Sequence, residues 1–210
     1  TEGAGYGWAT VTAPGGENYD VAGAANRLAL QGWLSGAAAD RLFTATGHDP
    51  AVLRAAAALP SFRPVELGAT FSANLPVTHE TLMSRNVLAR LPGSSRPDEV
   101  VLYGAHWDAY GEGEPDAQGR TIRPGANDDA LGVAGLLEIA RAFKAGPPPQ
   151  RSIAFGFWTA EERGLLGSET YARNPVFPAA KTVANITLDI LQTGGPSRDV
   201  LLVGEGQSRS

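Results

Sequence analysis

Gly125-Ala126-Asn127-Asp128-Asp129-Ala130-Leu131-Gly132 sets two adjacent carboxylates between a polar loop and a strongly periodic apolar segment. Downstream, Val133, Leu136, Leu137, Ala140 and Phe143 recur at helical spacing, while Glu138, Arg141 and Lys144 repeat on another face. This predicts an amphipathic helix over Asp129 to Lys144, stopped by Gly146 and Pro147 to Pro149. Upstream, Glu99 to Ala105 (EVVLYGA) is an apolar run with β-branched and aromatic members, as in a strand covered on both faces. Between the two, residues 109–124 form a long loop rich in Gly, Pro and charge, of a length usually tied to function or mobility.

Working outward, Ser152 to Trp158 reads as a second buried strand, Arg163 to Arg173 as a helix, Thr182 to Leu188 as a third strand and Asp199 to Val203 as a fourth. Pro64 to Pro76 and Asn86 to Leu91 read as two strands ahead of the Pro92-Gly93 turn. Strand and helix alternate, which predicts an α/β fold: a mixed, largely parallel central sheet with helices on both faces. Residues 1–61 differ in texture, rich in Ala and Gly and poor in charge. Leu28 to Leu34 reads there as a strand, and Ala37 to Thr44 and Asp49 to Leu59 as short helices. The second opens on an Asp-Pro pair suited to an N-cap and first helical position. The expected organisation is a small N-terminal fragment over 1–61 and a main domain over 62–210.

Composition narrows the chemistry. Apolar residues make up 43% of the 210 residues, enough for a sizeable core. A formal charge of −5, with no Lys/Arg run, argues against a nucleic-acid partner. No apolar run approaches a membrane span. The opening Thr1-Glu2-Gly3-Ala4-Gly5 lacks the basic start and apolar middle of a signal peptide, so the chain is expected to begin inside a longer precursor. With no cysteine, disulfides and thiolate metal sites are excluded, and any metal must be held by His, Asp and Glu. The absence of G-x-S-x-G argues against a serine hydrolase.

In open α/β sheets the ligand site lies beyond the carboxyl ends of the strands. His106, Asp108, Asp128, Glu161, Glu162 and Asp189 all fall at such ends or just past them. A His with several carboxylates and no Cys suits a hydrolytic zinc site rather than a structural one. Two nearby metals need a shared ligand with two usable oxygens, and Asp128, where the chain pivots, is the candidate. Asp108, two residues after His106, can accept a hydrogen bond from the other ring nitrogen and fix its tautomer. Adjacent Glu161 and Glu162 point in different directions, so one can bind metal while the other holds a proton above a bridging water. His48, in the loop between the two short helices, reads as an exposed loop residue.

The segments GAHWDAYGEG (104–113), GANDDALGVAGLLEIARAF (125–143), FWTAEERGLLGS (157–168) and NITLDI (185–190) resemble the co-catalytic zinc aminopeptidase family in order and spacing. Its relatives include glutamate carboxypeptidase, glutaminyl cyclase and the transferrin receptor. The resemblance implies a peptide substrate, two zinc ions and an exported, periplasmic or extracellular protein. It implies that His106 and Asp189 hold one zinc, that Asp128 bridges, and that Glu162 belongs to the second. It makes Glu161 the general base, Asp108 the partner of His106, and the Asp128–Asp129 peptide cis. Residues 1–61 resemble the tail of a protease-associated domain. The family's last ligand is a downstream His with no match up to Ser210, since His48 and His79 lie upstream. The chain is therefore expected to be a piece of a longer protein, and residues 1–210 alone to hold at most about one zinc tightly. The expected activity is that of a zinc exopeptidase, an aminopeptidase first, with a same-fold cyclase or carboxypeptidase as the alternative. Intact candidate ligands argue against a non-catalytic receptor-like relative.

Overall fold

The computed structural model describes Trp8, residues 18–23, Leu30, residues 32–196 and Arg198. The chain divides into two compact units, Thr1–Asn18 with Ala22–Thr81, and Tyr19–Val21 with Leu82–Ser210.

In the first unit, α1 (Gly36–Ala45) opens on Ser35, whose hydroxyl accepts the Ala38 N–H at 3.3 Å. The helix α2 (Pro50–Ala57) opens on Asp49, whose carboxylate accepts the N–H groups of Ala51 (2.8 Å) and Val52 (3.4 Å), with Pro50 at the first helical position. An Arg54–Asp40 ion pair of 2.8 Å joins the two helices. Of the strand expected over Leu28 to Leu34, Leu28, Ala29 and Gln31 lie outside the described residues, and Leu30 and Gly32 to Leu34 are not in strand. The strand expected over Pro64 to Pro76 is absent: residues 62–86 have no regular structure. A strand must pair its N–H and C=O groups with a neighbour. None of the described strands takes this segment as its partner, and Phe71 and Leu75 are exposed.

The second unit is a four-stranded sheet formed by β1 (Val87–Leu91), β2 (Arg96–His106), β5 (Arg151–Trp158) and β6 (Thr182–Thr187), in the order β1-β5-β2-β6. The strands β5, β2 and β6 run parallel, and β1 closes one edge antiparallel to β5. Two helices make the crossovers, α3 (Leu131–Ala145) from β2 to β5 and α4 (Leu166–Arg173) from β5 to β6. They cover opposite faces. On one face Ala105, Ile153 and Phe155 pack with Leu136, Val133 and Phe143 of α3; on the other Val100, Leu102, Ala154 and Trp158 pack with Tyr171 of α4. The alternation of faces along β2 and β5 explains their near-continuous apolar runs: each strand is buried on both sides. Beyond β2 lies β6, at the sheet edge, exposed from Val183 to Thr187, in contrast to the buried strands of the interior. The strand expected at Asp199 to Val203 lies outside the described residues.

Two boundaries move. The helix predicted from Asp129 starts at Leu131, after a wide turn over Ala126–Ala130 closed by Ala130 N–H to Gly125 O at 3.0 Å. The helix predicted from Arg163 starts at Leu166, because residues 160–165 form a closed turn. In the 109–124 loop, Gly111–Glu112 (β3) and Ile122–Arg123 (β4) pair as a small antiparallel hairpin. The chain leaves β2 for β5 on one side and returns to β6 on the other. The carboxyl end of β2 is therefore the point where strand order reverses, the place where such sheets open a crevice.

Candidate metal centre

His106 is the last residue of β2 and is only 2% exposed. Its main-chain N–H donates to Asp129 Oδ2 at 3.1 Å. The ring meets the main-chain carbonyl of Asp108 through Nδ1 at 3.0 Å. A carbonyl only accepts, so Nδ1 carries the hydrogen, and in the neutral ring Nε2 presents a lone pair. Nε2 nevertheless faces three carboxylate oxygens: Asp128 Oδ1 at 2.9 Å, Glu161 Oε2 at 3.8 Å and Asp189 Oδ1 at 3.9 Å. Acceptor facing acceptor is repulsive unless a proton or a cation lies between them. Ligand atoms of His106, Asp128 and Asp189 lie within 4.8 Å of one another, as do those of His106, Glu161 and Glu162. All six residues singled out in the sequence are thus gathered at one end of the sheet.

They come from the ends of three strands and from the turn ahead of α3. Asp128 projects from the wide turn ahead of α3, and the Asp128–Asp129 peptide is cis, as the resemblance implies. Glu161 and Glu162 follow β5, and Asp189 follows β6. The Asp108 carboxylate lies 3.6 Å from His106 Nδ1, but its hydrogen bonds go elsewhere. Its Oδ1 accepts the Glu161 N–H at 3.0 Å and its Oδ2 the Glu162 N–H at 3.3 Å. Asp108 thus fixes the ring with its main chain and the glutamate turn with its side chain.

The crowding of negative charge shows in the ionisation of the groups. Burial alone lowers the His106 pKa, but the hydrogen bond that the protonated ring donates to Asp128 and the charges of Glu161 and Asp129 outweigh it and hold the imidazole above its ordinary value. Burial pushes Glu161 and Glu162 upward, with neighbouring carboxylates adding to the shift. Glu162 Oε1 is buried with no hydrogen-bond partner. A buried, unpartnered carboxylate oxygen beside further carboxylates is an arrangement that a cation relieves. Oxygen and imidazole donors without thiolate suit a hydrolytic divalent metal, so the residues fit the zinc that the resemblance implies.

Two contributors escape a reading of the sequence. Asp129 is 1% exposed; besides the His106 N–H it accepts the Gly132 N–H at 3.0 Å, tying the end of β2 to the start of α3. A Cβ at Gly132 would come within 2.2 Å of this carboxylate, so the glycine three residues on is the trace it leaves in the sequence. Tyr110 lies against Glu162, whose hydrogen bond and charge raise the phenol pKa. Nothing at sequence level separates it from a loop aromatic. The other two histidines, His48 and His79, belong to the first unit.

The profile of peptidase family M28 matches residues 86–210, more than half of the chain. The chain belongs to peptidase family M28. Its relatives include a "Probable zinc metalloprotease" of Pyrenophora teres f. teres, 41% identical over 105 residues, covering 50% of this chain and 22% of that protein. Another is the "Probable lipoprotein aminopeptidase LpqL" of Mycobacterium tuberculosis, 33% identical over 126 residues, covering 60% of this chain and 23% of that protein. Among solved structures, an M28 peptidase precursor from Shewanella amazonensis is 37% identical over 50% of this chain and 22% of its own, with a TM-score of 0.43. This M28 chain spans about a quarter or less of the length of these relatives. Among the described residues no helix is long and apolar enough to cross a membrane.

Proposed function

We propose that the protein bearing this M28 chain is a zinc-dependent exopeptidase, an aminopeptidase that cleaves the peptide bond next to a free amino terminus. The observation that supports this best is the aim of the His106 Nε2 lone pair at the carboxylates of Asp128, Glu161 and Asp189. Its relatives' names, a zinc metalloprotease and an aminopeptidase, agree with it. His106, Asp189 and Asp128 would hold one zinc, and Asp128 with Glu162 would contribute to a second. Zinc bound there supplies a Lewis acid that lowers the pKa of water and polarises a carbonyl.

The chain's own residues do the rest. Asp108, Asp129 and the β2 end keep His106 in one tautomer and orientation. The Glu161 carboxylate accepts the proton of the attacking water and passes it to the leaving amine. Burial pushes its pKa upward, the direction that favours taking a proton. Residues 62–210 form the catalytic part and residues 1–61 the tail of a protease-associated domain in this reading. A lipoprotein among the relatives supports an exported location.

The test uses the full-length protein on aminoacyl anilides, amino-terminally blocked peptides and peptides with amino-terminal glutamine, with and without chelator. Chelator-sensitive release of the first residue from free amino termini is expected. Activity untouched by chelation, or confined to blocked substrates, would overturn the reading. Cyclisation of glutamine without hydrolysis would reassign the site to a cyclase.

A further inference from the structure

The two glutamates sit on a turn that hangs between β5 and α4. Main-chain bonds close it rung by rung: Gly167 N–H to Thr159 O at 3.0 Å, Leu166 N–H to Ala160 O at 3.1 Å and Leu165 N–H to Glu161 O at 2.9 Å. Ala160 and Leu165, which flank the glutamates, have φ of 52° and 62°. Left-handed backbone at a non-glycine residue is unfavourable and persists where surroundings enforce it. Asp108 provides one restraint, through the N–H groups of Glu161 and Glu162.

The second restraint is Asn86, just ahead of β1. Its Oδ1 accepts the Thr159 N–H at 3.1 Å and its Nδ2 donates to Gly167 O at 2.8 Å. One side-chain amide thus spans the base of the turn, using both its donor and its acceptor. The fit is close: a Cβ at Gly167 would come within 2.2 Å of Thr159 O and 2.6 Å of Asn86 Oδ1. The chain around Asn86 is held at the same strand ends. Ser84 Oγ meets Thr159 Oγ1 at 2.6 Å, and Trp107 Nε1–H donates to Arg85 O at 3.2 Å.

We infer that Asn86 is a positioning residue for Glu161 and Glu162, acting with Asp108 as the two side-chain anchors of the glutamate turn. Asn86 touches no reacting atom. It sets the height and tilt of the turn, and hence where both carboxylates point. Misplacing a catalytic group by about 1 Å can cost about 10²-fold in rate, and loss of a residue that orients a metal ligand typically costs about 10–100-fold in metal affinity. The inference rests on the zinc exopeptidase reading above.

The experiment compares full-length wild type, Asn86→Ala, Asn86→Asp and Ser84→Ala by steady-state kinetics and by zinc titration against a competing chelator. Asn86→Ala is expected to lower kcat by about 10–100-fold with KM within about twofold, and to weaken zinc binding. Asn86→Asp keeps the acceptor for Thr159 but turns a carboxylate oxygen toward the Gly167 carbonyl, so it is expected to lower kcat at least as much as the alanine variant. It decides the matter if the alanine variant does not fold. Ser84→Ala removes a bond to the same Thr159 and is expected to keep wild-type kcat and zinc affinity. Folded Asn86 variants with wild-type kcat and zinc affinity would overturn the inference, as would an equal loss in Ser84→Ala, which would indicate general loosening. A wild type that neither binds zinc nor cleaves peptides would instead defeat the functional reading itself.

Discussion

Glu161 and Glu162 are neighbours in the chain with the same side chain and nearly the same burial, yet their surroundings differ. Glu161 reaches toward His106 Nε2. Glu162 keeps one oxygen buried and unpartnered, with Tyr110 beside it. The first suits proton transfer and the second suits a metal. Glu161→Gln should lower kcat by roughly 10²–10⁴-fold while zinc content is retained, because the amide cannot take the proton. Glu162→Gln should lose zinc as well, because an amide is a poorer cation ligand than a carboxylate. Kinetics beside metal analysis by mass spectrometry checks both, and zinc loss confined to Glu161→Gln would reverse the assignment.

Among the described residues, α3 carries the largest fully buried side chain, on its sheet-facing side. Leu136 is fully buried against the face formed by Ala105, Ile153 and Phe155. Leu136→Ala should cost about 2–5 kcal/mol, the sum of lost transfer energy and the cavity left behind, read as a lower urea midpoint with little change in slope. The β3–β4 hairpin is held differently. The Arg120 main-chain N–H and its guanidinium, followed by the Gln118 N–H, bond Asp116 and lower its carboxyl pKa. A depressed carboxylate contributes stability that is fully present above its unfolded pKa of about 3.9 and is lost as pH falls through the lower folded value. The Arg120 amide resonance is therefore expected to hold steady down to about pH 4 and to shift below it, and Asp116→Asn should abolish that acid transition.

For the whole molecule, four carboxylates converge on one imidazole at one end of the sheet. Metal should therefore stabilise the native state strongly. A ligand at about 100 times its Kd adds about 2.7 kcal/mol, which appears as a higher Tm. Stripping zinc with a chelator should lower Tm by several degrees, and added zinc should restore it. Unchanged Tm on chelation, measured by scanning calorimetry, would argue against metal at this site.

The interior of this protein was legible because its signals are local. β2, β5 and α3 follow from apolar runs and helical spacing within single segments, and the metal-centre residues from chemistry repeated at strand ends. Asp49 and Pro50 announced their helix in two residues. What tertiary structure decided depends on groups far apart in the chain. Pairing partners are not encoded within a segment, so Pro64 to Pro76 had the composition of a strand and no partner among the described strands. The same holds for polar anchors: the Asp108 carboxylate finds amides 53 and 54 residues away, and Asn86 finds groups 73 and 81 residues away. A hydrogen bond is satisfied by whichever donor the folded backbone brings within 3 Å or so. The sequence by itself therefore determined which side chains could make a metal centre, and only the folded sheet decided which of them hold the others in place.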